Sequence, residues 1–367
     1  MEHKKKILIS GASFAGLTTA YWMNKMGYRV TIVEIGTQLK MGGTPVDIKD
    51  GTVEIVKRMG LFEQIKANRV GPEKWEFKNA DDVTEHSILL KQSPENEFEI
   101  ERDILLNMLF ELVKNDVDFT FDDGITLLNE KEDCVEVTFK NGTQSQFELV
   151  FGCDGIHSAV RKIWFGAESE YVHFLGQYFA IAIANKLLVK AGTYQMYAEP
   201  NKGLALYAYN NKTDIIFTFR LEKEISYDFR NQEQLKQIVF EQMQGMSWRT
   251  PELKAELLNS KSFYFDKFCQ VKMPSWTKGR VALVGDAGYC ASPAAGMGGS
   301  LAIIGATALA DAFEKHNGNF ELAFNDYNKD LHPFIAEVQA GAVEMLDQLL
   351  PRTEEEVRWR NKNGFSM

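Results

Sequence analysis

Cysteine is scarce in this 367-residue chain, and its placement excludes more than its number does. Cys134, Cys153, Cys269 and Cys290 are scattered, with no Cys-x-x-Cys pair, so neither a disulfide framework nor a zinc site is expected. The six histidines are equally dispersed and none stand at His-x-x-x-His spacing, so no metal is expected. Positive charge is also short. Against 51 acids there are 41 lysines and arginines, and a net charge of −10 with a pI near 5.3 argues against nucleic acid or an anionic membrane as partner. No apolar signal segment opens the chain, which therefore reads as cytoplasmic, and it holds no internal repeat or low-complexity tract. The one long uncharged stretch, Ala287 to Ala310, contains Pro293 and Gly288, Gly296, Gly298, Gly299 and Gly305. Its first half cannot be a regular helix, so a buried loop leading into a core helix is expected rather than a membrane span.

What the chain does contain is ordinary globular material, 45% hydrophobic and 25% charged, at a length that suits two closely joined domains. The most informative stretch is the beginning. The apolar run Ile7-Leu8-Ile9 leads through Ser10 into Gly11-Ala12-Ser13-Phe14-Ala15-Gly16, a helical pattern continues to Met26, and a β-type run from Arg29 to Val33 ends on Glu34. Strand, Gly-x-x-x-x-Gly turn, helix, strand and acid in this order describe a dinucleotide-binding βαβ unit. Gly11 permits the sharp turn, and the first helical N–H groups, from Phe14 and Ala15, point at a pyrophosphate with the helix dipole behind them. Gly16 and Ala20 give a small face for close approach to the sheet, and Glu34 is placed to accept hydrogen bonds from a ribose 2′-hydroxyl. Ser13 stands where the middle glycine is expected, and its hydroxyl can donate to a phosphate. The motif does not separate NAD from FAD. Glu34 does disfavour NADP here, because a 2′-phosphate would face a carboxylate.

Further along, Thr52 to Met59 and Asp103 to Val113 read as helices, and Trp75 to Asn79, Ser87 to Leu90 and Phe98 to Ile100 as short strands. Alternation at Val135, Val137 and Phe139, followed by Asn141-Gly142, predicts a hairpin whose returning strand, Gln146 to Phe151, ends in Gly152-Cys153-Asp154-Gly155. From Gly176 the texture changes to aromatic-rich runs, Gln177 to Ala184, Thr193 to Ala198, Leu204 to Tyr209 and Asp214 to Arg220, which suggest a mostly antiparallel sheet. A buried strand, Arg280 to Val284, then ends in Gly285-Asp286 before helices at Ser300 to His316 and Phe320 to Leu350 and a polar, peripheral tail from Pro351 to Met367. The expected architecture is α/β. A discontinuous Rossmann-like nucleotide domain (1–175 plus 265–320) is joined to an inserted, mostly antiparallel β-sheet substrate domain (73–100 and 176–264), and 321–367 forms a C-terminal helix and tail. Ligands of open parallel sheets bind at the carboxyl ends of the strands. Three such ends carrying glycine or acid signatures point to one long ligand.

The segments Gly11-Ala-Ser-Phe-Ala-Gly16, Val150-Phe-Gly-Cys-Asp-Gly-Ile-His-Ser-Ala-Val-Arg161 and Arg280-Val-Ala-Leu-Val-Gly-Asp-Ala-Gly-Tyr-Cys-Ala-Ser-Pro-Ala-Ala-Gly296 resemble the three signatures of class A flavoprotein monooxygenases, the relatives of para-hydroxybenzoate hydroxylase. Order and spacing match over nearly the whole chain. Gly42-Gly43-Thr44 and the length are similar to the tetracycline-inactivating members. The resemblance implies a FAD-binding domain, FAD as cofactor and NADH or NADPH as co-substrate. It also implies that dioxygen adds at flavin C4a and that the resulting hydroperoxide hydroxylates an aromatic or polycyclic organic small molecule.

Residue by residue, the resemblance implies that Glu34 binds the adenosine ribose and that Arg102 reaches FAD, although a solvated helix-start arginine is an equal reading of Arg102. Asp154 would serve both FAD and the nicotinamide cofactor, with Arg161 supporting that motif through an ion pair. Asp286 would hydrogen-bond the ribityl chain, and Pro293, Gly296, Gly298 and Gly299 would lie by the flavin ring. Tyr289, Ser300 and Gly305 replace the histidine, asparagine and aspartate usual in the third signature, so fine contacts at the ring are not carried over. No catalytic acid or base is identified. With no second βαβ unit in sight, the reductant is expected to dock transiently, and a monomer is expected. Among Tyr178, Phe179, Tyr194, Tyr197, Tyr207, Phe217, Phe219 and Arg220, alternation along the strands lets about half line a pocket. Two other readings stay open: a FAD-dependent dehydrogenase or reductase without oxygen insertion, and a non-catalytic flavin-bearing binding protein. A halogenase is disfavoured, since the chain has no Trp-x-Trp-x-Ile-Pro segment.

Overall fold

The structure is a computed structural model that describes residues 5–90 and 97–365. Residues 1–4, 91–96 and 366–367, which belong to the expected segments 1–175, 73–100 and 321–367, lie outside the described residues. The opening strand, Lys6–Ser10, is central to everything else. Ile7, Leu8 and Ile9 are wholly buried and pair in parallel with Arg29–Glu34 on one side and Leu149–Gly152 on the other. A continuous apolar run is what a strand covered on both faces requires. The six-stranded sheet runs in the order Thr277–Lys278, Val281–Leu283, Leu149–Gly152, Lys6–Ser10, Arg29–Glu34, Asp118–Phe121, and is parallel apart from its first pair. All three signature motifs therefore leave from neighbouring strand ends.

The hairpin at Asn141-Gly142 forms, within a three-stranded antiparallel sheet that also contains Ile125–Glu130. Its returning strand differs from the expected single run. Gln144–Phe147 pairs in the hairpin, while Leu149–Gly152 crosses into the six-stranded sheet. One apolar stretch serves two sheets because Glu148 sits at the crossing point, its N–H donating to the carbonyl of Lys6.

The aromatic-rich runs form a seven-stranded sheet, ordered Phe263–Val271, Val172–Ala184, Lys212–Arg220, Lys202–Tyr209, Thr193–Glu199, Lys74–Lys78, Thr84–Leu89. Only the Thr193–Glu199 and Lys74–Lys78 pair is parallel. One face buries Tyr178, Tyr197, Phe217 and Phe219 against the helices Gln232–Gln242 and Thr250–Asn259, with Leu235, Val239, Leu253 and Leu257 as the facing side chains. The other face looks toward the third motif, where Phe179 and Phe268 pack with Ala294.

Ala287 to Ala310 divides as its one proline and its glycines require, into a 3-10 turn at Pro293–Ala295 and the helix Gly298–Lys315. Among the described residues no helix is long and apolar enough to cross a membrane. The tail from Pro351, expected to be peripheral, is instead a packed helix, Glu354–Asn363, capped by Thr353, whose hydroxyl accepts from the Glu356 N–H. It buries Val357, Arg360 and Asn361, and the Asn361 amide donates to the carbonyl of Lys78. Three buried positions at helical spacing in a highly charged segment are easily masked by its average polarity.

Candidate functional site

The first turn is tight enough that backbone meets backbone. Gly11 has φ +103°, and a methyl group there would stand 2.5 Å from the carbonyl oxygen of Cys153 in the second motif. A methyl at Gly16 would meet the carbonyl oxygen of Gly11 at 1.9 Å. The helix Phe14–Lys25 makes its first intrahelical bond from the Leu17 N–H to the Ser13 carbonyl, which leaves the N–H groups of Phe14, Ala15 and Gly16 without an intrahelical acceptor. These donors and the positive end of the helix dipole suit a pyrophosphate.

Glu34 closes the turn from the next strand. One carboxylate oxygen accepts from the Ala12 N–H and the other from the Gly36 N–H, each at 2.8 Å, so both keep a lone pair for a ribose hydroxyl. Arg102 begins its helix but is not a solvated arginine. Its guanidinium donates to the carbonyls of Lys40 (2.8 Å) and Gly42 (3.0 Å) and to the Ser13 hydroxyl (3.3 Å), and it lies over the Phe14 ring. It thus draws the Lys40–Gly42 loop onto the first turn. Ser13, in the expected glycine position, offers that arginine an acceptor.

Asp154 serves mainly its own loop, with the Ser10 hydroxyl of the first strand also donating to it at 3.5 Å. It accepts from the Ser158 hydroxyl and from the N–H groups of Ala159 (2.8 Å) and Val160 (3.1 Å), capping the helix Ala159–Trp164. The ion pair expected for Arg161 is not formed. Arg161 is wholly buried, and its guanidinium donates to two backbone carbonyls, Ile156 in the second motif and Ala287 in the third (2.8 Å for the latter). Carbonyls replace a carboxylate because two turns have to be held together, and a planar fork reaches both. Arg161→Lys, with one donor group instead of a fork, is expected to lower the thermal midpoint and weaken FAD retention about tenfold, the worth of roughly one such bond. Melting curves and flavin absorbance after gel filtration check this.

The third motif closes on the first. A methyl at Gly285, where φ is +68°, would lie 3.1 Å from the Ala15 methyl, and one at Gly299 would lie 3.3 Å from the Phe14 ring. Asp286 follows at the start of a short helix, with no hydroxyl or N–H donating to its carboxylate among the described residues. Burial pushes its carboxyl up to about 6, against the Cys290 thiol and the Arg161 guanidinium. An acid held this way is suited to a polar ligand group. Pro293, Gly296 and Gly298 are exposed, and a methyl at Gly298 would meet nothing within 4 Å, so this turn borders open space that a planar ring can fill. The residues present fit FAD.

A model of the family described as FAD binding domain matches residues 4–338. A flavin-dependent monooxygenase of Legionella longbeachae is 32% identical over 96% of this chain and 92% of its own. Among solved structures, tetracycline destructase Tet(51) superposes with a TM-score of 0.88 at 32% identity, covering 98% of this chain and 95% of that one. Tet(55) follows at 0.85 and 31%, with the same coverage. The chain belongs to the class A flavoprotein monooxygenases.

In this monooxygenase the strand alternation sorts the aromatic candidates. Tyr178, Tyr197, Phe217 and Phe219 belong to the helix-covered core, whereas Phe179, Tyr194 and Tyr207 lie on the face turned to the third motif. On that face Ile181, Ala205, Ile216 and Thr218 are only partly covered, while their neighbours along the strands are buried, and Tyr264 is likewise partly covered. Arg220 donates to the carbonyl of Leu350 and braces the end of the long helix Phe320–Leu349. Two acids missing from the sequence reading stand beside this face. Asp47 and Glu99 are directly opposite each other in the antiparallel pair Val46–Ile48 and Phe98–Ile100, and the Tyr207 hydroxyl donates to Glu99 at 3.1 Å. No local motif marks them, because 51 intervening positions and a strand pairing separate 47 from 99 and only the fold joins them.

Proposed function

We propose that the protein is an NADH- or NADPH-dependent hydroxylase of an aromatic or polycyclic organic molecule. The observation that carries this reading is the half-covered face of the seven-stranded sheet, turned toward the exposed Pro293–Gly298 turn. Bound FAD would supply hydride acceptance and oxygen activation there. The chain's part is placement. The N–H groups of Phe14 to Gly16 and the carboxylate of Glu34 hold the adenosine diphosphate end, Arg102 fastens the loop over it, and Asp286 takes the ribityl hydroxyls. Asp154 and Arg161 act one step removed, shaping the second and third loops. At the reacting end, the helix Gly298–Lys315 turns its positive N-terminus toward developing negative charge. Apolar side chains such as Phe179, Ile181 and Tyr264 keep water from the reaction.

Purified protein loaded with FAD should oxidise NADH or NADPH with oxygen uptake, and an accepted compound should stimulate the rate. Because Tet(51) and Tet(55) are tetracycline destructases, tetracycline is the first compound to try. A product heavier by one oxygen atom supports hydroxylation. A product lighter or heavier by two hydrogen atoms favours a dehydrogenase or reductase instead, and failure to retain FAD removes the reading altogether.

A further inference from the structure

The pair Asp47 and Glu99 lies where three parts of the molecule meet. Asp47 stands beside the third motif: its carboxylate would be 3.7 Å from a methyl on Gly296, and its backbone carbonyl accepts from the Ser300 hydroxyl at 2.7 Å. Glu99, across the strand pair, is held from the opposite side by the Tyr207 hydroxyl of the seven-stranded sheet. Like charges directly opposite in a sheet are unfavourable, so an arrangement that sets two carboxylates face to face beside a ring-binding turn calls for a use. Next to Tyr207 in the same sheet, Asp214 is fully buried, with one oxygen accepting from Tyr209 and the other lacking any donor. Among the described residues no cation pairs with Glu99. Lys49 is 3.9 Å from Asp47, and Lys212 is taken by Glu101 at 2.6 Å.

We propose that Glu99, oriented by Tyr207, is the proton acceptor for a phenolic or enolic hydroxyl of the substrate. This rests on the hydroxylase reading given above. The substrate O–H bond breaks, its proton passes to a Glu99 oxygen, and its electron pair stays on the substrate oxygen. Electron density rises at the adjacent carbon, which is the carbon that receives oxygen. Dioxygen and the nicotinamide reductant remain the oxidant and reductant of the overall reaction, and Glu99 releases its proton to solvent after the product leaves. Burial and then Asp47 push the Glu99 carboxyl up to about 7, while the Tyr207 bond opposes them. Asp214, also near 7, and the Tyr194 hydroxyl face the same region, so the limb belongs to a coupled group in which Glu99 meets the substrate. A base with that affinity suits an acidic hydroxyl near neutral pH.

The test uses FAD-loaded protein and two readouts. The first is turnover of a panel of phenols and enols. In the wild type kcat should rise with pH through about 7, Glu99→Gln should lose that limb and about 100-fold in kcat, and Tyr207→Phe should move the limb to higher pH. The second readout needs no turnover. Near pH about 7, where the Glu99 carboxylate is free to take its proton, bound 4-nitrophenol should show a phenolate band in the difference spectrum with wild type, and lose it with Glu99→Gln. A variant with wild-type rates and limb overturns the proposal, as does a phenolate band that is absent from wild type or unchanged in Glu99→Gln. Flavin absorbance separates the two levels: if FAD is held and the band is missing, only the assignment of Glu99 falls.

Discussion

Gly16→Ala is expected to give a protein that folds poorly and does not retain FAD. The added methyl would sit 1.9 Å from the carbonyl oxygen of Gly11, which cannot rotate away as a side chain can. Gly11 is itself pressed against the Cys153 carbonyl, so the displacement passes into the second motif. Overpacking in a well-filled core costs roughly 1–3 kcal/mol, and a backbone collision belongs at or beyond the upper end. Circular dichroism melting and flavin absorbance of the purified variant measure both consequences. A variant with wild-type melting and a full complement of FAD would show that the helix can slide, and that the close approach is not needed for binding.

Asp286→Asn should have opposite effects on the flavin-free and flavin-bound protein. Asp286 is a carboxylate raised from its ordinary value to about 6 by burial. A raised acid contributes stability that is complete below its unfolded-state pKa and disappears as pH climbs through the folded-state value. Flavin-free wild type therefore carries a penalty at pH about 7 that the asparagine variant lacks, and the variant should melt higher there but not at pH about 4. With FAD present the ranking reverses, because a charged acceptor for the ribityl hydroxyls is lost, worth about 1.5–3 kcal/mol or roughly 10- to 100-fold in affinity. Ser13→Gly should weaken FAD retention less than Asp286→Ala, since Ser13 contributes one 3.3 Å bond from Arg102. The reverse ranking would move the ribityl chain away from Asp286.

The parts that were readable from sequence share a property: each is governed by neighbours within about thirty residues. Ile7 to Glu34 announces its strand, turn, helix and acid because a buried parallel strand needs an unbroken apolar run and the turn needs Gly11 and Gly16. The Asn141-Gly142 hairpin is local in the same way. The reading failed where a side chain's partner is chosen by tertiary structure. Arg161 looked like half of an ion pair, but its fork binds carbonyls in two motifs. Asp154 also accepts from two N–H groups of the next helix, which its motif alone does not announce. Arg102 could not be told from a surface arginine until Lys40, Gly42 and Ser13 were brought around it. Asp47 and Glu99 had no signal at all, because strands of three residues carry no period and their pairing spans the intervening chain.

The tie from Arg161 to Ala287 spans 126 positions, and five strands of the seven-stranded sheet are encoded inside that span. A ribosome adding about 10 residues per second would need on the order of 10 s to cross it. Until then the strand Leu149–Gly152 has no partner on one edge, since Val281–Leu283 has not been made. The nascent chain thus passes through an interval with a fully apolar strand edge open to other chains. Loading with flavin cannot shorten that interval, because Asp286 emerges after it. Slow translation of the insert, or a shortage of chaperones, should therefore show as aggregation that added riboflavin does not rescue.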